Sequence, residues 1–320
     1  MERFGAGLAL AGAPAPANRA IPMTALTAIK AAAKTIVPDP VLCAAPRPWR
    51  TAVRVALRNL TDHDPILVYQ MGKVGSTTLY ATLRHAELPN PVFHVHYLVP
   101  GNIRKSRERY RRGDMLHSEK AAHLAVGLGL ALRVRLSRNV RWIVLTGVRD
   151  PIHRAISRTF QVATWRHPTV CRNGRVDADR MLAYLERAIR PEGRLIRDTY
   201  TWMDRELKRT LGIDLYRHPF DRAAGYRILR SGNVKMLVYR LENLDRVLEE
   251  GLVRLLALDD ALDAQPANRA PDKAYGREYE RVVEAFRLPA AQCRRIYDHP
   301  FMDHFYGPTM IRRFVRRWTR

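Results

Sequence analysis

Apolar positions along this chain follow two rhythms. Short unbroken runs, ILVY at 66–69, PVFHVHYL at 91–98 and RWIVLTGV at 141–148, predict strands. Between and after them, apolar residues three and four apart predict helices over GSTTLYATLRHA, HSEKAAHLAVGLGLALRVRLSR and DPIHRAISRTFQ. The pattern stays helical, with charged outer faces, from Asp177 to Leu211. GYRILRSGNVKMLVYRLENL then predicts two strands joined at a Ser-Gly-Asn turn, the second feeding a helix through Leu258. From Tyr275 the chain reads as helical pieces broken by Pro289 and Pro300.

Strand and helix alternate through the first half of this region, which predicts an α/β domain whose central, mainly parallel sheet is covered by helices on both faces. Residues 1–62 have a different texture, rich in Ala and Pro with only short helical patterns. They are expected to form a poorly ordered N-terminal extension ahead of a domain over 63–320.

Composition adjusts this picture in three places. With 320 residues, 47% of them apolar, the chain is long enough for a sizeable core. Its 55 Lys and Arg against 31 Asp and Glu give a net charge of +24, yet only eight of the cations are lysines. That excess is either a bias toward Arg spread over solvated faces or the mark of a polyanionic partner. Cys43, Cys171 and Cys293 are too few and too scattered for a disulfide framework or a zinc site. No apolar run approaches membrane-spanning length, and the opening MERFGAGLALAGAPAPANRA is a weak signal peptide, so a reducing, cytoplasmic setting is expected.

Two segments carry candidate chemistry. In ILVYQMGKVGSTT a strand ends in a Gly-containing turn and runs into a helix, which directs backbone N–H groups and the positive end of the helix dipole at whatever sits above the turn. Gly72 and Gly75 permit close backbone approach, Lys73 supplies a compact charge, and Ser76, Thr77 and Thr78 add hydroxyl donors. Lys73 precedes the second glycine, so the Walker spacing fails and magnesium-dependent NTP hydrolysis is disfavoured. In GVRDPIHRAIS, Arg149 emerges at the carboxyl end of a strand, Asp150 and Pro151 fit a helix cap and first position, and Ser157 lies about two turns on. Arg149 and Ser157 are expected to converge on a second phosphate beside the first.

Taken together, QMGKVGSTTL and VRDPIHRAIS resemble the 5′-phosphosulfate loop and the 3′-phosphate motif of the sulfotransferase family. The MGKVGS opening and the N-x-x-x-x-K-x-Y string from Asn268 to Tyr275 are most similar to bacterial capsular-polysaccharide sulfotransferase-like proteins. The resemblance spans about residues 64–307 and implies a P-loop NTPase-like three-layer fold. It also implies the donor 3′-phosphoadenosine 5′-phosphosulfate (PAPS), used without a metal. On this basis Lys73, Val74, Gly75, Ser76, Thr77 and Thr78 hold the phosphosulfate, Arg149 and Ser157 hold the 3′-phosphate, and Lys73 also acts on the leaving oxygen.

The acceptor is then a hydroxyl, on a glycan or glycoconjugate, and nucleic acid is not an expected partner. For its proton the strand PVFHVHYL offers His94 and His96 on one sheet face, a His-x-His arrangement that also looks like the catalytic strand of uronyl 2-O-sulfotransferases, with Glu87 in reserve. Lys273 and Tyr275 are candidates to fold over the nucleotide. Phe314 and Trp318, among five arginines in the tail, mark either a peripheral contact with an anionic membrane or polysaccharide or a solvated helix end. A P-loop-type kinase and a non-enzymatic polyanion-binding protein are the alternatives.

Overall fold

A computed structural model describes residues 63–320 apart from 113–117, 137–138, 266 and 268–272. The expectation for residues 1–62, and Asn268 of the N-x-x-x-x-K-x-Y string, lie outside the described residues. The chain runs β1 (Ile66–Tyr69), α1 (Ser76–His85), β2 (Val92–Val95), α2 (Pro100–Arg112), α3 (Ser118–Leu136), β3 (Trp142–Val148) and α4 (Pro151–Arg166). A two-stranded ribbon, β4 (Cys171–Arg172) and β5 (Arg175–Val176), leads to α5 (Ala178–Ala188) and α6 (Arg194–Trp202). The hairpin β6 (Tyr226–Ser231) and β7 (Val234–Arg240) follows, then helical turns from Leu241 to Leu256. The end comprises α7 (Gly276–Ala285), α8 (Ala290–Tyr297), α9 (Pro300–Phe305) and α10 (Gly307–Trp318).

Five strands form one sheet in the order β2-β1-β3-β7-β6, parallel throughout except for β6. Alternation along β1 divides the core. Ile66 and Val68 pack with Ile143, Leu145 and the α1 residues Leu79 and Leu83, whereas Leu67 and Tyr69 pack with Val144, Leu130 of α3 and Ile152 of α4. A fully buried Leu or Ile of this kind contributes about 1.5–3 kcal/mol by leaving water. The outcome is the expected α/β architecture, a mainly parallel sheet with helices on both faces.

The order of connections fixes where a ligand can sit. From β1 the chain crosses to β2 on one side, then returns past β1 to β3 on the other. β1 is therefore the point where the winding reverses, and the loops leaving β1 and β3 diverge at the carboxyl ends to open a crevice.

Two expectations need correction. The strand predicted over 91–98 ends at Val95, and the amides of Leu98 and Val99 instead donate to Glu206 Oε2 at 2.8 and 3.2 Å. Glu206 is fully buried on a π-helical turn, Met203–Lys208, and its carboxylate also accepts from Tyr69 Oη at 2.7 Å and from Asn102 Nδ2. The carboxylate outcompetes a continued ladder because it satisfies both amides at once. In the tail, Phe314 and Trp318 are core residues, while Arg312, Arg313, Arg316 and Arg317 stay exposed. They are thus no surface anchors: α10 turns its aromatic side inward and its arginines outward. No helix among the described residues is long and apolar enough to cross a membrane.

Candidate functional site

A cleft of about 450 Å³ opens at the carboxyl ends of β2, β1 and β3. The turn after β1 forms its floor. Lys73 and Gly75 both adopt positive φ, +75° and +83°. The left-handed conformation at Gly75 favours glycine, and a Cβ there would also press on Leu241 Cδ1 at 2.8 Å, which would have to swing aside. Gly75 gives α1 no side-chain cap, and the first bond of the helix runs from Leu79 N to the Gly75 carbonyl. The amides ahead of Leu79 are left to the turn, the arrangement that binds anions at helix N-termini.

The sequence-derived residues converge here. Lys73, Gly75, Ser76, Thr77, Thr78, His94, His96, Arg149 and Ser157 all line the cleft. Val74 differs in that its side chain is buried in the core and its carbonyl accepts from Tyr239 Oη at 2.6 Å, so only its backbone belongs to the turn. The Thr78 hydroxyl donates to the Ala267 carbonyl at 3.2 Å, which ties the loop before α7 to the first turn of α1. Glu87 is exposed beyond the far end of α1, about 15 Å along the helix from the turn, and does not line the cleft. It is set aside as a reserve base.

Two arginines hold the turn from the side of α4. Arg149 Nη1 donates to the Lys73 carbonyl at 3.1 Å, and Arg154 Nε donates to the Gly72 carbonyl at 3.1 Å. A second Arg154 nitrogen, Nη1, donates to Thr199 Oγ1 at 2.9 Å, which fixes its side chain. With those carbonyls drawn toward α4, the cations of both residues face the cleft alongside Lys73. Asp150 caps α4 by accepting from Ile152 N at 3.1 Å, with Pro151 at the first position, as the motif predicted.

This concentration of positive charge acts on Lys73. Burial first, then Arg149, Arg158 and Lys273, pulls its ammonium down from the usual lysine value to about 8. Lys73 is therefore charged at neutral pH and loses its charge above pH 8. Affinity for an oxyanion such as sulfate, whose own charge does not change in this range, is expected to stay level from pH 6 to 7.5 and to fall above pH 8. Lys73→Arg should remove that alkaline decline, because Arg does not titrate there. Calorimetric titration across the range checks both.

On the other flank three imidazoles meet. His94 and His96 lie 4.8 Å apart between ring centroids, and His123 of α3 completes the group at 5.4 and 5.5 Å. Burial holds all three below the ordinary histidine range, with the neighbouring rings adding to it at His94 and His96; His94 falls to about 4 and His96 well below the ordinary value, so they are neutral at pH 7. Nδ1 of His96 lies 2.8 Å from the Gln70 carbonyl, which can only accept. Nδ1 therefore carries the proton, and Nε2 keeps its lone pair. Among the described residues no group of three or more His, Cys, Asp or Glu is arranged to hold a metal ion.

Sequence inspection had passed over Arg154 and Arg158 as site residues, and Gln161 and His123 entirely. Spacing offered a signal for the first three. With Ser157 they follow a 3–4 rhythm on one face of α4, and that face forms the wall of the cleft. His123 comes from a distant helix and had no local signal. Of the lid candidates, Tyr275 packs on Phe160 with ring centroids 5.5 Å apart, and Tyr279, one turn on, lines the cleft instead.

The class these features define is an α/β protein with a cation-lined cleft at the switch point of its sheet. A family model, NKWYS, described as "Putative capsular polysaccharide synthesis protein", matches residues 175–307. That is less than half of the chain, beginning in β5 and ending at the start of α10, and it takes in none of the turn, the histidines, Arg149 or Ser157. No curated protein and no solved structure matches the chain.

Proposed function

We propose that this protein is a sulfotransferase that uses PAPS to sulfate a hydroxyl of a capsular polysaccharide or of its precursor, on a P-loop NTPase-like fold. One observation carries the reading. Three adjacent parallel strands deliver to one cleft a cationic turn (Lys73), a second cation beside a buried serine (Arg149 and Ser157) and a neutral imidazole with a free lone pair (His96). The resemblance of both phosphate segments to sulfotransferase motifs supports it, as does the polysaccharide theme in the name of the matching family.

A cleft of about 450 Å³ is in the range that nucleotide-sized ligands occupy. Lys73 and the amides of the turn hold the 5′-phosphosulfate, and Arg149 and Ser157 hold the 3′-phosphate. The donor supplies an activated S–O bond. His96 Nε2 takes the acceptor's hydroxyl proton as its oxygen bonds to sulfur, and Lys73 neutralises charge on the departing 5′-phosphate oxygen. The product nucleotide is the 3′,5′-bisphosphate. Positioning and fixed charge account for most of the rate in a transfer of this kind. The exposed arginines of α10 supply a peripheral contact for an anionic surface.

Adenosine 3′,5′-bisphosphate should bind the wild type, and Lys73→Ala and Arg149→Ala should each weaken it about 10- to 100-fold, as charge-assisted bonds of about 1.5–3 kcal/mol require. Isothermal titration calorimetry measures this. Unchanged affinity in both variants sinks the proposal.

A further inference from the structure

A second cavity, of about 80 Å³, adjoins the main cleft and shares Tyr97, Arg154 and Arg158 with it. Arg109 of α2, Arg166 at the end of α4, Arg194 at the start of α6 and Arg205 just beyond its end also line it. Among the described residues of the lining Asp198 is the one carboxylate, paired to Arg194 at 3.8 Å and to Arg205 at 3.3 Å. Six guanidinium groups and this carboxylate are thus gathered, among the described residues, in one small groove. The crowding is felt at Arg166, whose charged form is disfavoured by burial and then by Arg194, Arg109 and Arg158. A cluster that repels itself when empty is relieved by a bound anion, and planar forks suit carboxylates in particular.

We propose that this groove is the acceptor subsite, and that the acceptor is an anionic polysaccharide whose carboxylates are held by Arg109, Arg166 and Arg194 while a neighbouring hydroxyl reaches His96. This deepens the sulfuryl-transfer reading and rests on it for the acceptor's role. The groove borders the main cleft at Tyr97, Arg154 and Arg158, which places an acceptor bound there next to the site of transfer. Its size fits a sugar carboxylate. Single-stranded nucleic acid is the poorer match, because it stacks successive bases on a row of open aromatic faces, whereas Trp202 in the lining is 3% exposed and Tyr97 alone offers a half-buried ring among the described Phe, Tyr and Trp residues of the groove.

The test uses the full chain and three probes: hexagalacturonate as the carboxylated oligosaccharide, maltohexaose as its neutral counterpart, and a dT10 oligonucleotide. Wild type should bind hexagalacturonate, bind maltohexaose at least tenfold more weakly, and bind dT10 more weakly than hexagalacturonate. R109Q/R194Q should lose at least tenfold for hexagalacturonate and keep its affinity for adenosine 3′,5′-bisphosphate within twofold. R109K/R194K, with the charge kept, should recover part of the loss, which a merely misfolded variant would not do. Lys73→Ala should behave in the opposite way, losing the nucleotide and keeping the oligosaccharide. Unchanged hexagalacturonate affinity in R109Q/R194Q, no binding of it by wild type, or equal or tighter binding of dT10 overturns the proposal. If wild type binds the oligosaccharide through these arginines but binds no nucleotide, the donor reading fails and the anionic-glycan groove stands.

Discussion

His96→Ala is expected to lower the turnover of sulfuryl transfer by about 10²–10⁴-fold, the usual contribution of a positioned general base, with nucleotide affinity unchanged within twofold. The asymmetry between the two histidines of β2 and its end leads to this expectation. His96 has its Nδ1 proton committed to the Gln70 carbonyl, so its Nε2 is an acceptor in a single tautomer. His94 has an Nε2 that is buried without a hydrogen-bond partner, and its ring lies 5.6 Å from Tyr80 of α1. His94→Ala should therefore cost less.

The pH profile provides a second readout. Burial, His94 and His123 hold His96 well below the ordinary histidine value, so the proposed base stays deprotonated to lower pH than a solvated imidazole would. The acid limb of kcat/KM, which reports the free enzyme, should fall below pH 6.5. Steady-state rates of the two alanine variants decide the assignment. If His94→Ala abolishes turnover while His96→Ala retains it, the roles are reversed.

Local chemistry made the two cleft-lining segments legible. ILVY followed by a glycine turn, and WIVLTGV followed by Arg-Asp-Pro, each hold strand, turn and helix start within about a dozen residues, and the structure places both where expected. Elements that depend on distant partners were not legible in the same way. Helix α2, PGNIRKSRERYRR, lacks a repeating apolar stripe, with Ile103 as its one buried hydrophobic residue among those described. Asn102 near its start donates to Glu206, and α2 packs beside α3, so tertiary contacts override a weak amphipathic pattern. The early end of β2 has the same origin, since nothing in VFHVHYL announces that a glutamate more than a hundred residues later will claim its amides. The tail misled for a different reason. IRRFVRRW reads as a basic aromatic surface until its spacing is set against a partner, and Phe314 and Trp318, four apart, then fall on one buried face.

Trp318 is also one end of a buried polar hub. Asp150→Ala should destabilise the protein by about 3–5 kcal/mol, because it removes a buried carboxylate on which three donors depend. Oδ1 accepts from Ile152 N at 3.1 Å and from Tyr297 Oη at 2.6 Å, and Oδ2 accepts from Trp318 Nε1 at 2.8 Å. One side chain thus caps α4 and ties α8 and α10 to it. The amide of Asp150 donates in turn to Glu242 Oε1 at 2.8 Å, just after β7. Losing this hub would also release Arg149, the preceding residue, from a fixed helix start.

Burial raises the Asp150 carboxyl above its usual value, against the pull of those three donors and of Arg149. A raised carboxyl binds more protons in the folded chain than in the unfolded one. Its contribution to stability is therefore full below about pH 3.8 and declines as pH climbs through the folded value. Asp150→Asn removes that decline and keeps the shape, but its NH₂ would face either the indole N–H or the α4 amide. It should cost about 1–3 kcal/mol at pH 7, less than alanine, since one donor is left unpaired rather than three. Urea unfolding monitored by tryptophan fluorescence separates the two variants. A midpoint for Asp150→Ala equal to wild type would mean that Tyr297 and Trp318 find other acceptors, and that the α8–α10 end holds to α4 by apolar packing alone.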